Sequence, residues 1–102
     1  MSVKTIFEQA VDVFGPQDRQ TLLAEEVGEL LAALNQWARG RIPASRVAEE
    51  VADVTIVLEQ LPYVIAMNGM DPEKFSLMVG RFREQKLVRL QEILKQEAKA
   101  HG

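Results

Sequence analysis

A chain of 102 residues with a net charge of −3 and no cysteine has the size of one domain. Without cysteine, disulfides, thiolate metal sites and cysteine nucleophiles are excluded, and the acidic balance argues against a nucleic-acid partner. The single histidine, His101, is next to last in the chain, where termini fray, and makes a poor general base or metal ligand. Lys4, Glu8 and Asp12 interrupt the N-terminal segment, unlike the apolar core of a signal peptide. No run approaches the roughly 18 apolar residues of a membrane span. A cytoplasmic protein with no membrane partner is expected.

Apolar residues recur with helical spacing almost throughout, and no stretch alternates apolar and polar residues as a half-buried strand does. The spacing predicts a first helix over about 2–13, stopped by Phe14-Gly15-Pro16. A second, over about 17–38, ends at Arg39-Gly40-Arg41-Ile42-Pro43, where glycine and proline break it. A third starts at Ala44 or Ser45 and runs to about 67, kinked at Pro62 because proline cannot donate to the helical ladder. Asn68-Gly69 is a stop signal. Asp71-Pro72 then opens a fourth helix that reaches about residue 97, with aspartate as cap and proline in the first turn. The expected fold is all-α, one domain over residues 1–102.

One phrase occurs twice: AEEVGEL at 24–30 and AEEVADV at 48–54. Each copy sets an acidic residue three places after a glutamate, Glu26 with Glu29 and Glu50 with Asp53. Positions three apart are neighbours on a helix, so each copy presents two carboxylates on one face. Leu23, Val27, Leu30 and Leu34 form an apolar stripe on the second helix; Val47, Val51, Val54, Leu58 and Leu61 form one on the third. In both helices the acidic pair sits beside the stripe at the same angular offset. A lone acidic cluster reads as a solvated helix face. Two in matching register, on consecutive helices that pack antiparallel, gather four negative charges at the edge of the seam, which is costly unless a cation lies between them. The residues therefore point to a divalent-metal site.

Glu25-Glu26-x-x-Glu29 followed, after 20 intervening residues, by Glu50-x-x-Asp53 resembles the signature of the MazG-like, all-α nucleoside triphosphate pyrophosphohydrolases, a superfamily that includes the dimeric dUTPases. FGPQDRQTLLAEEVGELLAAL looks like the first motif region and EEVADVTIVLEQL like the second, so the likeness covers roughly residues 14–90. The resemblance implies a four-helix MazG-like bundle completed by homo-oligomerisation, as homodimer or homotetramer. It also implies hydrolysis of a nucleoside triphosphate, standard or non-standard dNTP, to the monophosphate and pyrophosphate, a housecleaning role in the nucleotide pool. Mg²⁺ would be held by Glu26, Glu29, Glu50 and Asp53, a hard cation on carboxylate oxygens that keeps waters and takes substrate phosphates. Glu25 corresponds to the glutamate that positions or deprotonates the attacking water, while Glu49, its counterpart in the second copy, reads as a solvated residue.

On the fourth helix, Lys86 and Arg89 fall within the apolar stripe Phe75, Met78, Val79, Phe82, Leu90 and Ile93. Cations on a core-facing surface need a partner. The resemblance makes that partner the substrate phosphates, with Arg81 as a weaker third. The other reading is that the helix leaves the core after Phe82 and both residues reach water. Trp37, the only tryptophan, reads first as packed in the core or a subunit interface and second as a platform for the base. The third helix is apolar over much of its circumference, from Val54 through Ile65, and needs more neighbours than one chain supplies, so an obligate homo-oligomer is expected. The rival reading is a non-enzymatic helical interaction module, adaptor or antitoxin-like, with an acidic docking face. A di-iron carboxylate bundle is disfavoured, since its Glu-x-x-His motifs have no histidine to draw on within these helices.

Overall fold

The computed structural model describes residues 1–101; Gly102, the last residue of the expected domain, lies outside the described residues. Five helices follow one another: α1 (Val3–Phe14), α2 (Pro16–Ala38), α3 (Ala44–Leu58), α4 (Leu61–Ala66) and α5 (Pro72–His101). There is no strand among the described residues. The fold is all-α. No helix among them is long and apolar enough to cross a membrane.

Local chemistry sets each boundary. The Ser2 hydroxyl accepts the Thr5 N–H at 3.1 Å and caps α1, satisfying one donor that a helix start leaves orphaned. Gly15 ends α1 and begins α2 in a single residue: its N–H donates to the Val11 carbonyl at 2.8 Å and its carbonyl accepts from the Arg19 N–H at 3.2 Å. Its φ of +88° with ψ of 153° is a conformation essentially reserved for glycine. Arg19 braces the corner, its guanidinium 4.5 Å above the Phe14 ring and its Nε donating to the Asp18 carboxylate at 3.1 Å. Asp71 Oδ1 accepts the Glu73 N–H at 3.1 Å at the start of α5.

The expected third helix is divided in two rather than kinked. Pro62 has no N–H for the carbonyl four residues earlier, that of Leu58, and its ring crowds it. α3 accordingly ends at Leu58, Gln60 donates to Val57 at 3.1 Å in a tighter turn, and α4 restarts with Tyr63 donating to the Gln60 carbonyl at 3.0 Å.

The core is small: Phe7 and Val11 on α1, Ala33 on α2, Val54 and Val57 on α3, Val64 on α4. α2 and α3 pair most extensively, α1 packs on α2 and α4, and α4 on α5. Two sequence expectations change here. On α2 the half-buried residues are Pro16, Arg19, Leu22, Leu23, Glu26 and Leu30, whereas Val27 and Leu34 of the expected stripe are exposed; on α3, Val51 and Leu58 are exposed as well. One partner helix covers only part of so wide a stripe, and the contact lies on the flank nearer the carboxylates. The stripe on α5 is likewise not core-facing within the protomer. Phe75 is half-buried, every residue from Ser76 to His101 is exposed, and α5 has no buried residue. The helix therefore leaves the core before Phe82, earlier than the point that the solvent-facing reading of Lys86 and Arg89 gave.

The Gly15 corner yields a stability prediction. A Cβ built at Gly15 meets nothing within 4 Å, so Gly15→Ala carries only backbone strain, about 1–3 kcal/mol. Urea denaturation should show a lowered midpoint with an unchanged slope; an unchanged midpoint would mean that the α1–α2 corner relaxes freely.

Candidate metal centre

α2 and α3 are joined by the short connection Arg39–Pro43, as in an αα-hairpin. α2 and α3 pack on each other, and the acids of the two helices act on one another: Asp53 and Glu50 on Glu26, and Glu29 on Glu50. The repeated phrase is thereby brought face to face with itself.

Glu26, Glu29 and Glu50 each place a carboxylate oxygen within 4.8 Å of the other two. Asp53 lies outside this group of three, yet its charge acts on both Glu26 and Glu50. Glu26 and Glu50 are half-buried, Glu29 and Asp53 exposed. Among the described residues, Glu26 Oε2 and Glu50 Oε2 are buried oxygens without a hydrogen-bond partner. Nor, among the described residues, does a cation form an ion pair with the cluster. The ion pairs among the described residues are Lys4–Glu8, Arg19–Asp18, Arg46–Glu49 and His101–Glu97.

The electrostatics follow from that geometry. Burial pushes the Glu26 carboxyl above its ordinary value, and the charges of Glu29, Asp53 and Glu50 push it the same way. Burial likewise raises Glu50, with Glu29 and Asp53 adding to it and Arg46 opposing. Desolvated like charges favour protonation or a bound cation. The donor set is all carboxylate oxygen, with neither imidazole nor thiolate, which suits a hard divalent ion such as Mg²⁺ rather than zinc or copper. The two orphaned oxygens are the atoms that such an ion would satisfy, so the residues present fit it.

The remaining sequence candidates lie apart from this cluster or at its margin. Glu25 is exposed, next to Glu26 on α2. Trp37 is 50% exposed near the C-terminal end of α2, so within the protomer it is not a core residue. Arg81, Lys86 and Arg89 are exposed on α5, whose main packing partner is α4 rather than the α2–α3 hairpin. The chain's fold thus joins three of the four proposed ligands closely, keeps the fourth within electrostatic reach, and leaves the basic residues on a separate surface. The feature that sequence reasoning missed is Gln60, buried at the α3–α4 break with an unpaired Oε1; its only signal was its place two residues before Pro62.

No protein family, curated protein or solved structure matches the chain.

The raised carboxyls make a signed prediction. Folded Glu26 and Glu50 hold protons more tightly than in the unfolded chain, so their contribution to stability is full below the ordinary value of 4.5 and is lost as pH rises through the raised folded values. In EDTA, Glu50→Gln should therefore melt at a higher temperature than wild type at pH 7, and its melting temperature should fall less between pH 5 and pH 7. A lower melting temperature at pH 7 would give the Glu50 carboxylate a structural partner instead.

Proposed function

We propose that this chain is a MazG-like, Mg²⁺-dependent nucleoside triphosphate pyrophosphohydrolase that converts a nucleoside triphosphate and water to the monophosphate and pyrophosphate. The observation that carries the reading is the trio of carboxylates drawn from both copies of the repeat, with two buried, unpaired oxygens. A structural role does not account for like charges half-buried at a helix–helix seam with no ion-pair partner among the described residues. The likeness of Glu25-Glu26-x-x-Glu29 and Glu50-x-x-Asp53 to the superfamily signature supplies the reaction.

Each residue has a part in this reading. Glu26, Glu29, Glu50 and Asp53 hold the ion; when bound, Mg²⁺ supplies charge neutralisation to the polyphosphate and activation to the attacking water. Glu25, exposed and next to Glu26 on α2, is the residue that by the resemblance orients that water and accepts its proton as the phosphoanhydride is cleaved. Lys86, Arg89 and Arg81 form no ion pair among the described residues, which leaves their donors free for phosphate oxygens. α5, which carries them, packs chiefly on α4 rather than on the hairpin that bears the cluster. Trp37 offers a half-exposed aromatic face on which a base can stack.

The test is pyrophosphate release from standard and modified dNTPs and NTPs, in Mg²⁺ and in EDTA. Metal-dependent release with monophosphate as co-product is expected. Asp53→Asn should lower it more than about 100-fold, beyond the usual cost of disturbing only a ligand's outer partner, without unfolding the protein. Absence of release across the panel, together with no Mg²⁺-induced thermal shift, would favour the helical interaction module. Lys86→Ala separates the phosphate role from a structural one. Lys86 is exposed, so its loss should change stability by less than about 0.5 kcal/mol while raising KM or lowering kcat. Intact kinetics would remove Lys86 from the site.

A further inference from the structure

We propose that Asn68 is a site of spontaneous covalent modification: its carboxamide is lost through attack by the Gly69 backbone nitrogen, and the products loosen the α4–α5 corner. This does not rest on the reaction assigned to the acidic cluster. Three glycines hold a positive φ, Gly15, Gly40 and Gly69, a conformation that glycine adopts without steric cost. They follow Phe14, Arg39 and Asn68. Only the third therefore has a carboxamide beside a glycine nitrogen.

The chain has two asparagines, and their settings differ. Asn35 lies within α2 and is followed by Gln36, whose side chain and helical backbone both restrain its nitrogen. Asn68 lies beyond the end of α4, and it and Gly69 are exposed in a turn. A Cβ built at Gly69 would meet nothing within 4 Å, so this side of the turn is open to water. The restraint is a set of hydrogen bonds. Gly69 donates to the Ala66 carbonyl and Asn68 to that of Ile65, both at 3.0 Å, and Met67 to that of Val64 at 3.2 Å. Each closes a three-residue turn, with poorer geometry than an α-helical bond, at the end of a helix of six residues. Such ends open at little cost in free energy. Opening releases the Gly69 nitrogen, and glycine's conformational freedom lets it swing toward the Asn68 side chain.

The chemistry balances without an added reactant other than water. The Gly69 nitrogen bonds to the side-chain carbonyl carbon of Asn68, the carboxamide carbon–nitrogen bond breaks, and the Gly69 amide proton departs with the side-chain nitrogen as ammonia. Water then opens the resulting succinimide ring. Opening at one carbonyl leaves aspartate in place of Asn68; opening at the other leaves isoaspartate, whose main chain runs through the former side chain. Either product sets a carboxylate at the C-terminal end of α4, where unpaired carbonyls already concentrate negative charge. Isoaspartate also adds a methylene to the connection between α4 and Asp71, the residue that caps α5 by accepting the Glu73 N–H at 3.1 Å. α4 is the main packing partner of α5, so a longer, more negative connection acts on how α5 is held.

The test is ageing of the full chain in mildly alkaline buffer at physiological temperature, folded and in urea, followed by peptide mass spectrometry. Asn68 should gain one mass unit while Asn35 stays unchanged, and the folded rate should lie within about tenfold of the rate in urea, as expected of a fraying turn. Gain in urea with none in the folded chain would mean that the turn shields Asn68, and would overturn the proposal; so would equal gain at Asn35. Asn68→Gln, at an exposed position, should abolish the gain, because glutamine closes the larger ring far more slowly. Aged wild type should also melt below fresh protein, while aged Asn68→Gln should not. Equal melting temperatures for aged and fresh wild type would refute the loosening of the corner.

Discussion

Like charges held half out of water at the α2–α3 seam are the constraint on which the rest of this structure depends. Glu26 and Glu50 occupy positions where an ordinary helical hairpin places apolar residues, and both are raised above ordinary carboxylate values by burial first and by neighbouring acids second. Such a seam is unfavourable by itself. It is held by what flanks it: the half-buried Leu22, Leu23 and Leu30 on α2 and the buried Val54 and Val57 on α3. The short connection Arg39–Pro43 keeps the two copies of the repeat opposite each other. The same packing that closes the hairpin thus forces the carboxylates together, and a cation is the simplest group that relieves them.

The small core is a consequence. Every seam position given to a carboxylate is one that buries no hydrocarbon, and six apolar residues are buried among the described residues: Phe7, Val11, Ala33, Val54, Val57 and Val64. Burying a large apolar side chain contributes about 1.5–3 kcal/mol, whereas ordering each residue's backbone costs about 1–2 kcal/mol. A helix such as α5, ordered over 30 residues with none of them buried, gains little from its own chain.

What could be read from the sequence, and what could not, follows the range of the forces involved. Gly15, Gly40 and Asp71-Pro72 act through their own backbone or the next turn, and the helix boundaries they set lie within a residue or two of those expected. The facing of the two acidic pairs was legible too, because it needs only helical periodicity, a short loop and antiparallel packing. The Pro62 break was half legible. The missing N–H is evident from the residue type, but whether a helix bends or ends depends on what packs around it, and Gln60 is buried there. The covered flank of each stripe was not legible. Val27 and Leu30 are equally apolar, and periodicity says that a face is buried without saying by which neighbour.

α5 carries that last point furthest. Its sequence states correctly that Val79, Phe82, Leu90 and Ile93 share a face with Lys86 and Arg89, and the natural inference was a core with two cations in need of partners. In the protomer the face is exposed, so the cations are solvated and the hydrocarbon is what lacks a partner. An apolar face that also contains cations cannot be satisfied by hydrocarbon alone, since covering it desolvates the charges. Whatever covers α5 must therefore bring both apolar surface and negative charge.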